Sequence, residues 1–346
     1  MIRSTTNGIL NSYRFNLQRS THSLNKARDT VLTGRNFNSF AEDPAAAAHC
    51  FQMRRSFQRV DSQLALSQSV VSKYEMAWSS LNSVVDDLTN AKNSSALGDI
   101  ISGSSDATAS GRNALGQKLT QMAEGLVQTM NAKYGDSFVF AGADGLNVPL
   151  ELKDGTLYYR GIDVNSTDPK DMEALDYLAN GEKKYADLGL GLQENENGEL
   201  IESSVFDVTL QAINFLGYGT DGDGDPKNVI SLVGRMGEIL ENCDSNGKFA
   251  AGEEEEFKRL FEKFGAATDL LSDKHTELDA RAAFLKSNQT QLERNGYTLQ
   301  EQILGIEDAD PAEAISAYSW AQYCYNSALK VGNSILSESL MDYLKI

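Results

Sequence analysis

Residues 264–306 read "FGAATDLLSDKHTELDARAAFLKSNQTQLERNGYTLQEQILGI". Phe264, Leu271, Leu278, Leu285, Leu292, Leu299 and Ile306 recur every seven residues without a miss. An apolar residue at that interval marks a helix packed along another helix, since seven residues make close to two turns. The row four residues on is partly polar: Thr268, His275, Ala282, Gln289, Gly296 and Ile303. Polar residues on a seam cost stability and fix register and oligomeric state. A helix this long needs partners of similar length, so the rest of the chain should contain them.

It does, at both ends. Leu10, Leu17, Leu24 and Val31 are spaced by seven, with Tyr13, Ser20 and Ala27 three residues on. A second seam runs through Phe57, Leu64, Val71, Trp78 and Val85, accompanied by Val60, Ser67, Tyr74, Leu81 and Leu88. A helix over residues 45–96 would extend about 80 Å at 1.5 Å per residue. A third helix, marked by Leu115, Leu119, Met122, Leu126 and Met130, is expected to end at Gly135, and residues 205–219 and 228–242 read as helical. A last helix follows Pro311, with Ile315, Tyr318, Gln322, Tyr325, Leu329, Gly332 and Leu336 at three- and four-residue steps. Only 5 prolines occur, which permits such helices.

The middle differs. "SFVFAG" (137–142) reads as strand, and "LELKDGTLYYRG" (150–161) as a hairpin whose Asp154-Gly155 suits a type I′ turn. The expected fold is mainly α: long heptad helices from both termini forming a coiled-coil or rod bundle, with a small β-containing insert. The expected domains are a terminal coiled-coil assembly domain (1–44 plus 305–346), a helical rod domain (45–141 plus 205–304) and an outer insert (142–204).

Between the first two helices lies "TGRNFNSFAEDPAAA" (33–47). Gly34 ends one helix, the Asn/Ser segment supplies turn geometry, Asp43 can cap the next helix and Pro44 suits its first turn. The same residues, Gly34, Asp43 and Pro44, are the expected hinge.

The net charge of −18 argues against nucleic acid or an anionic membrane surface as partner. The charge is uneven: residues 1–60 hold nine Lys/Arg against three Asp/Glu, a balance of +6, which leaves −24 for the remainder. Opposite-signed ends can pair within or between subunits; solvated helix faces account for any single charge equally well. No run of about 20 apolar residues exists to span a membrane. The N-terminus shows no secretory signal pattern, which by itself reads as cytoplasmic and leaves open export without a cleaved signal.

Chemistry is thinly supported. Cys50, Cys243 and Cys324 are too scattered for a disulfide framework or a zinc site. His22, His49 and His275 have no ligand spacing, and a seam histidine at 275 is a register device before it is a ligand. Gly217, Gly219 and Gly222 spell G-x-G-x-x-G without a preceding strand. "DGDGD" (221–225) opens like a calcium loop but places Pro226 where glycine is needed. "NCDSNGKFAAGE" (242–253) fits that loop better, through Asn242, Asp244, Asn246, Gly247 and Glu253; the plain alternative is a turn-rich linker between helices. "EEEE" (253–256) suits the positive end of a helix. No catalytic, cofactor or metal residues are assigned, and the chain does not read as an enzyme.

"LTGRNFNSFAEDPAAAA", "SFVFAGADG", "DGTLYYRG" and the C-terminal "EDADPAEAISAYSWAQYCYNSALKVGNSILSESLMDYL" together resemble the flagellin family, and within it the hook-associated protein 3 family of hook–filament junction proteins. The resemblance covers residues 1–142 and 205–346. It implies a structural role joining hook to filament, self-assembly into a ring, and contacts with hook-associated protein 1 and flagellin. It also implies an export chaperone at the C-terminal helix and export through the flagellar type III apparatus to an extracellular place. The assembly interface it implies is Leu10, Leu17, Leu24, Val31, Ile315, Tyr318, Tyr325, Leu329 and Leu336. A filament subunit, flagellin itself, is the close alternative, and a calcium-responsive helical module the distant one.

Overall fold

A computed structural model describes residues 6–102, 109–195, 198, 200–244 and 247–344. Nine α-helices and seven short strands are defined among them. The long helices are α1 (Thr6–Thr33), α2 (Pro44–Lys92), α4 (Ala109–Met130), α8 (Glu253–Glu307) and α9 (Pro311–Leu344). Shorter ones are α3 (Ser95–Ser102), α5 (Pro169–Asp176), α6 (Ala212–Leu216) and α7 (Val229–Glu241). The mainly helical fold expected from the heptad rows is the fold observed. The chain divides into two compact units, residues 1–61 with 293–346, and residues 62–292. Helices α2 and α8 contribute to both.

The second unit holds nearly all of the core. Val70, Val71, Tyr74, Leu81 and Leu88 of α2 are buried, as are Phe264, Leu271, Leu278 and Leu285 of α8. The seven-residue row of α8 is therefore a true packing seam. Helices α4 and α7 cross at glycines: a Cβ on Gly116 would lie 2.8 Å from the Gly237 carbonyl oxygen, and one on Gly237 would lie 3.0 Å from the Gly116 oxygen. Only glycine at both positions allows this approach. Thr120 Oγ1 donates to Glu241 Oε1 across the same crossing, at 2.9 Å.

The strands sit in this unit too. β1 (Lys133–Tyr134) pairs with β2 (Ser137–Phe138), and β3 (Leu150–Lys153), β4 (Thr156–Tyr159) and β5 (Ile162–Asp163) form an antiparallel sheet in that order. β6 (Tyr185–Ala186) pairs with β7 (Phe206–Asp207). Asp154 and Gly155 turn β3 into β4 with φ of 49° and 78°, the double left-handed conformation of a type I′ turn. Leu150, Leu157 and Tyr159 join the same core as the helices.

Three local expectations change. Helix α4 stops at Met130, and Gly135, at φ 60°, turns the β1–β2 hairpin instead of ending the helix. The small-residue stretch 95–111, which reads as loop from its sequence, instead begins with α3, where Leu97 and Ile100 find the core. Residues 205–219 give β7 and only the five-residue α6, since Val205–Leu210 pairs and packs as extended chain.

Candidate assembly interface

The first unit is built differently. Its buried apolar residues, among those described, are Cys50, Ile303, Ala314 and Ala321, against several tens in the second unit. Four such residues make a thin core for two long helices, whose ordering costs about 1–2 kcal/mol per residue.

Helix α1 ends where the sequence said, with Gly34 at φ 68° and its N–H bonded to the Thr30 carbonyl. Helix α2 opens on Pro44, capped by Asp43 Oδ1, which accepts from the Ala46 N–H at 3.0 Å. Helix α9 repeats the device: Pro311 is its first residue, and Asp310 Oδ1 accepts from the Ala312 N–H at 2.7 Å. The two connectors are stitched together. Asn36 N–H donates to the Glu307 carbonyl (2.8 Å), Ala309 N–H to the Gly34 carbonyl (2.9 Å), and the Asn36 amide to the carbonyls of Ile306 (3.1 Å) and Asp308 (2.9 Å). The Glu307 carboxylate reaches α2, accepting from the Cys50 thiol at 2.8 Å and from Arg54 at 2.6 Å. Those two bonds, the thiol's first, hold the Glu307 carboxyl below its ordinary range against the opposing effect of burial.

Helices α1 and α9 pack along each other. On α1 the shielded positions include Leu10, Tyr13, Leu17, Ser20, Leu24 and Ala27; Val31 is exposed. On α9 they are Ala314, Tyr318, Ala321, Tyr325, Ala328 and Gly332, two rows spaced by seven. Gly332 lies directly against the Tyr13 ring, where any side chain would collide. Of the residues expected at an interface, Tyr318 and Tyr325 lie on this inner face, while Ile315 and Leu329 are 56% and 42% exposed. The Leu336 side chain falls outside the described residues. Asn36, Glu307, Arg54 and the small-residue row of α9 were not singled out from sequence. The Ala314, Ala321 and Ala328 spacing is the signal the sequence carries for that row, masked by larger apolar residues at neighbouring positions.

The α9 side of the contact mixes alanine and glycine with two tyrosines, and large apolar residues of both helices remain outside it. Phe15, Leu32, Trp320, Tyr323 and Val331 are all more than half exposed, and Trp320 stacks on Tyr323 at 5.8 Å.

The other candidates resolve locally. In residues 242–253 the acidic groups serve their own backbone: Asp244 Oδ1 accepts from Lys248 N–H, and Glu253 Oε2 from Ala250 N–H. Asn246 lies outside the described residues. Asp221, Asp223 and Asp225 do converge, and the cation among them is Lys263, at 2.5, 2.9 and 2.6 Å. Arg259 forks onto Asp225 at 2.6 and 3.1 Å, and with Lys263 pulls its carboxyl down to about 2. Gly217 and Gly219 follow α6, in loop rather than at a strand–helix turn. No described helix is long and apolar enough to cross a membrane.

The chain's first and last helices pair in one unit, and its other unit is a helical core carrying small β-elements. Its structure is similar to that of a Vibrio parahaemolyticus protein named as flagellar hook-associated, with a TM-score of 0.54 and 15% identity over 77% of this chain and 99% of that one. Flagellar hook-associated protein 3 from Legionella pneumophila matches with a TM-score of 0.46 and 15% identity, over 72% and 98%. FlgL from Bacillus cereus matches at 0.43 and 15%, over 73% and 99%. No protein-family model and no curated protein matches the sequence.

Proposed function

We propose that the chain is a structural subunit of the bacterial flagellum, a hook-associated protein that joins hook to filament, and not an enzyme. The observation that carries this reading is the large apolar surface that α1 and α9 leave uncovered. A helix pair that buries alanine and glycine and exposes Phe15, Ile315, Trp320, Tyr323, Leu329 and Val331 is incomplete by itself. Burying such side chains contributes about 1.5–3 kcal/mol each, so neighbouring subunits supply the missing core. The fold shared with a protein named as hook-associated supports the same reading.

In this reading residues 1–44 with 305–346 form the assembly domain, 45–141 with 205–304 the helical domain, and 142–204 the outer insert. Leu10, Leu17, Leu24, Val31, Ile315, Tyr318, Tyr325, Leu329 and Leu336 serve assembly, and Gly34, Asp43 and Pro44 form the hinge. The chain assembles as a ring between hook-associated protein 1 and flagellin, outside the cell, after export without a cleaved signal and with a chaperone on its C-terminal helix. Antibody labelling of isolated flagella tests the assignment. Label confined to a band at the hook–filament boundary is the expected result. Label along the whole filament would make the chain the filament subunit, and label absent from flagella would end the proposal.

A further inference from the structure

A shielded ammonium group is normally paired, because removing an unpaired charge from water is costly. Among the described lysines, Lys73, Lys92, Lys258, Lys263 and Lys274 are partly shielded and the others are exposed. Lys92 bonds Asp269 at 2.7 Å, Lys258 bonds Glu254 at 2.7 Å and Lys274 reaches Glu277 at 3.6 Å. Lys263 sits among three aspartates. Lys73 is the exception. It makes no ion pair with a described carboxylate, and its Nζ donates to a neutral group, the Val208 carbonyl, at 3.2 Å.

The surroundings account for this. The Tyr74 hydroxyl, one residue on, donates to the Asp207 carbonyl at 3.2 Å, so residues 207–208 lie against this part of α2. The Val208 N–H is bonded to the Lys184 carbonyl at 2.9 Å, which brings a second cation to the same place. Asp207 is the acid of the neighbourhood, and its carboxylate is engaged by backbone and hydroxyl. Its Oδ1 accepts from the Thr209 N–H (3.0 Å), the Thr209 hydroxyl (2.5 Å) and the Lys184 N–H (3.4 Å). Burial first, then the charge of Lys184, holds the Lys73 amine below the ordinary lysine range, and Asp207 opposes them only in part.

We propose that Lys73 is a covalent modification site, the amine of this chain that accepts acyl groups from small activated donors such as acyl phosphates. The neutral amine is the nucleophile, since only that form has a lone pair. A bond forms from Nζ to the acyl carbon, and the bond from that carbon to the phosphate oxygen breaks. Phosphate leaves with the electron pair, and one amine proton passes to water. The resulting amide keeps an N–H for the Val208 carbonyl and no longer carries an unpaired charge. At Lys92 or Lys263 the same step would break an ion pair and strand a carboxylate.

The full chain is treated with acetyl phosphate at neutral pH, and acetylation of each lysine is followed in time by peptide mass spectrometry. Lys73 should react severalfold faster than the exposed Lys118 and Lys170. The advantage should vanish above about pH 10, where exposed lysines become neutral too, and in urea, where the shielding is lost. Helicity by circular dichroism, read when half of Lys73 is acetylated, should equal that of the untreated chain. Lys73 reacting no faster than Lys118 in the folded chain overturns the inference. So does an advantage that survives unfolding, which would belong to the local sequence, and so does a loss of helicity, which would mean that the fold requires the ammonium.

Discussion

Gly116→Ala and Gly125→Ala are the same substitution in the same helix, and the structure gives them opposite signs. On an open helix face, replacing glycine by alanine stabilises by about 1 kcal/mol, because the unfolded chain loses freedom and the helix gains propensity. Gly125 is such a position: it is exposed and a Cβ there meets nothing within 4 Å. At Gly116 the new carbon would sit 2.8 Å from the Gly237 carbonyl oxygen and 2.9 Å from the Glu241 nitrogen, both backbone atoms of α7. Helix α7 must retreat. Overpacking of this kind costs about 1–3 kcal/mol, and stretching the Thr120–Glu241 hydrogen bond costs about 1 kcal/mol more. Set against the helix gain, Gly116→Ala should destabilise by about 2 kcal/mol. The assay is urea unfolding by tryptophan fluorescence. The chain has two tryptophans, Trp78 in the second unit and Trp320 in the first, so a Trp320→Phe background reads the relevant unit alone. If Gly116→Ala stabilises as Gly125→Ala does, the α4–α7 crossing is not the close contact described.

Asp225→Asn should cost about 1–2 kcal/mol at neutral pH, because Arg259 and Lys263 hold its carboxyl at about 2 instead of 3.8, with some loss to solvent at the exposed Arg259. A depressed carboxyl contributes fully above its unfolded pKa, so the gap between wild type and variant should be constant from pH 8 to 5 and close as pH falls from about 4 through 2; a gap independent of pH contradicts this. Asn36→Ala removes the two side-chain hydrogen bonds to Ile306 and Asp308 and should lower the Trp320 transition by about 1 kcal/mol while leaving the Trp78 transition unmoved. Gly332→Leu should separate α1 from α9 at a cost of about 1–3 kcal/mol, seen as faster hydrogen exchange in both helices. Adding Tyr13→Ala should recover part of that loss, and an unchanged exchange pattern in Gly332→Leu would contradict the packing.

What could be read from sequence was whatever one helix or one turn decides. The α8 row from Phe264 to Leu292 announces its own burial, Asp154-Gly155 its own turn, and Asp43-Pro44 its own cap, because each rests on neighbours in the chain. Val205–Leu210 did not declare itself, since a short apolar run has no period that separates strand from helix. The stitch between Asn36 and Glu307 joins residues some 270 positions apart, and nothing local in either marks it. The inner face of α9 escaped for another reason. Most of its packing positions are alanine or glycine, and large residues such as Ile315 and Trp320 lie exposed, so a rule that equates size with burial misses the row.

The stitched connectors also have a mechanical meaning. Peptide bonds alone would deliver tension on α1 through residues 34–43 to the start of α2, a single slack path. The Asn36 and Ala309 hydrogen bonds open a second path in parallel, from the end of α1 to the end of α8, and Glu307 relays it to Cys50 and Arg54 on α2. Load entering by either terminal helix is thereby divided between two long helices within a few ångströms of where it arrives. Parting the two connectors therefore means losing several hydrogen bonds at once, each contributing only about 0.5–1.5 kcal/mol.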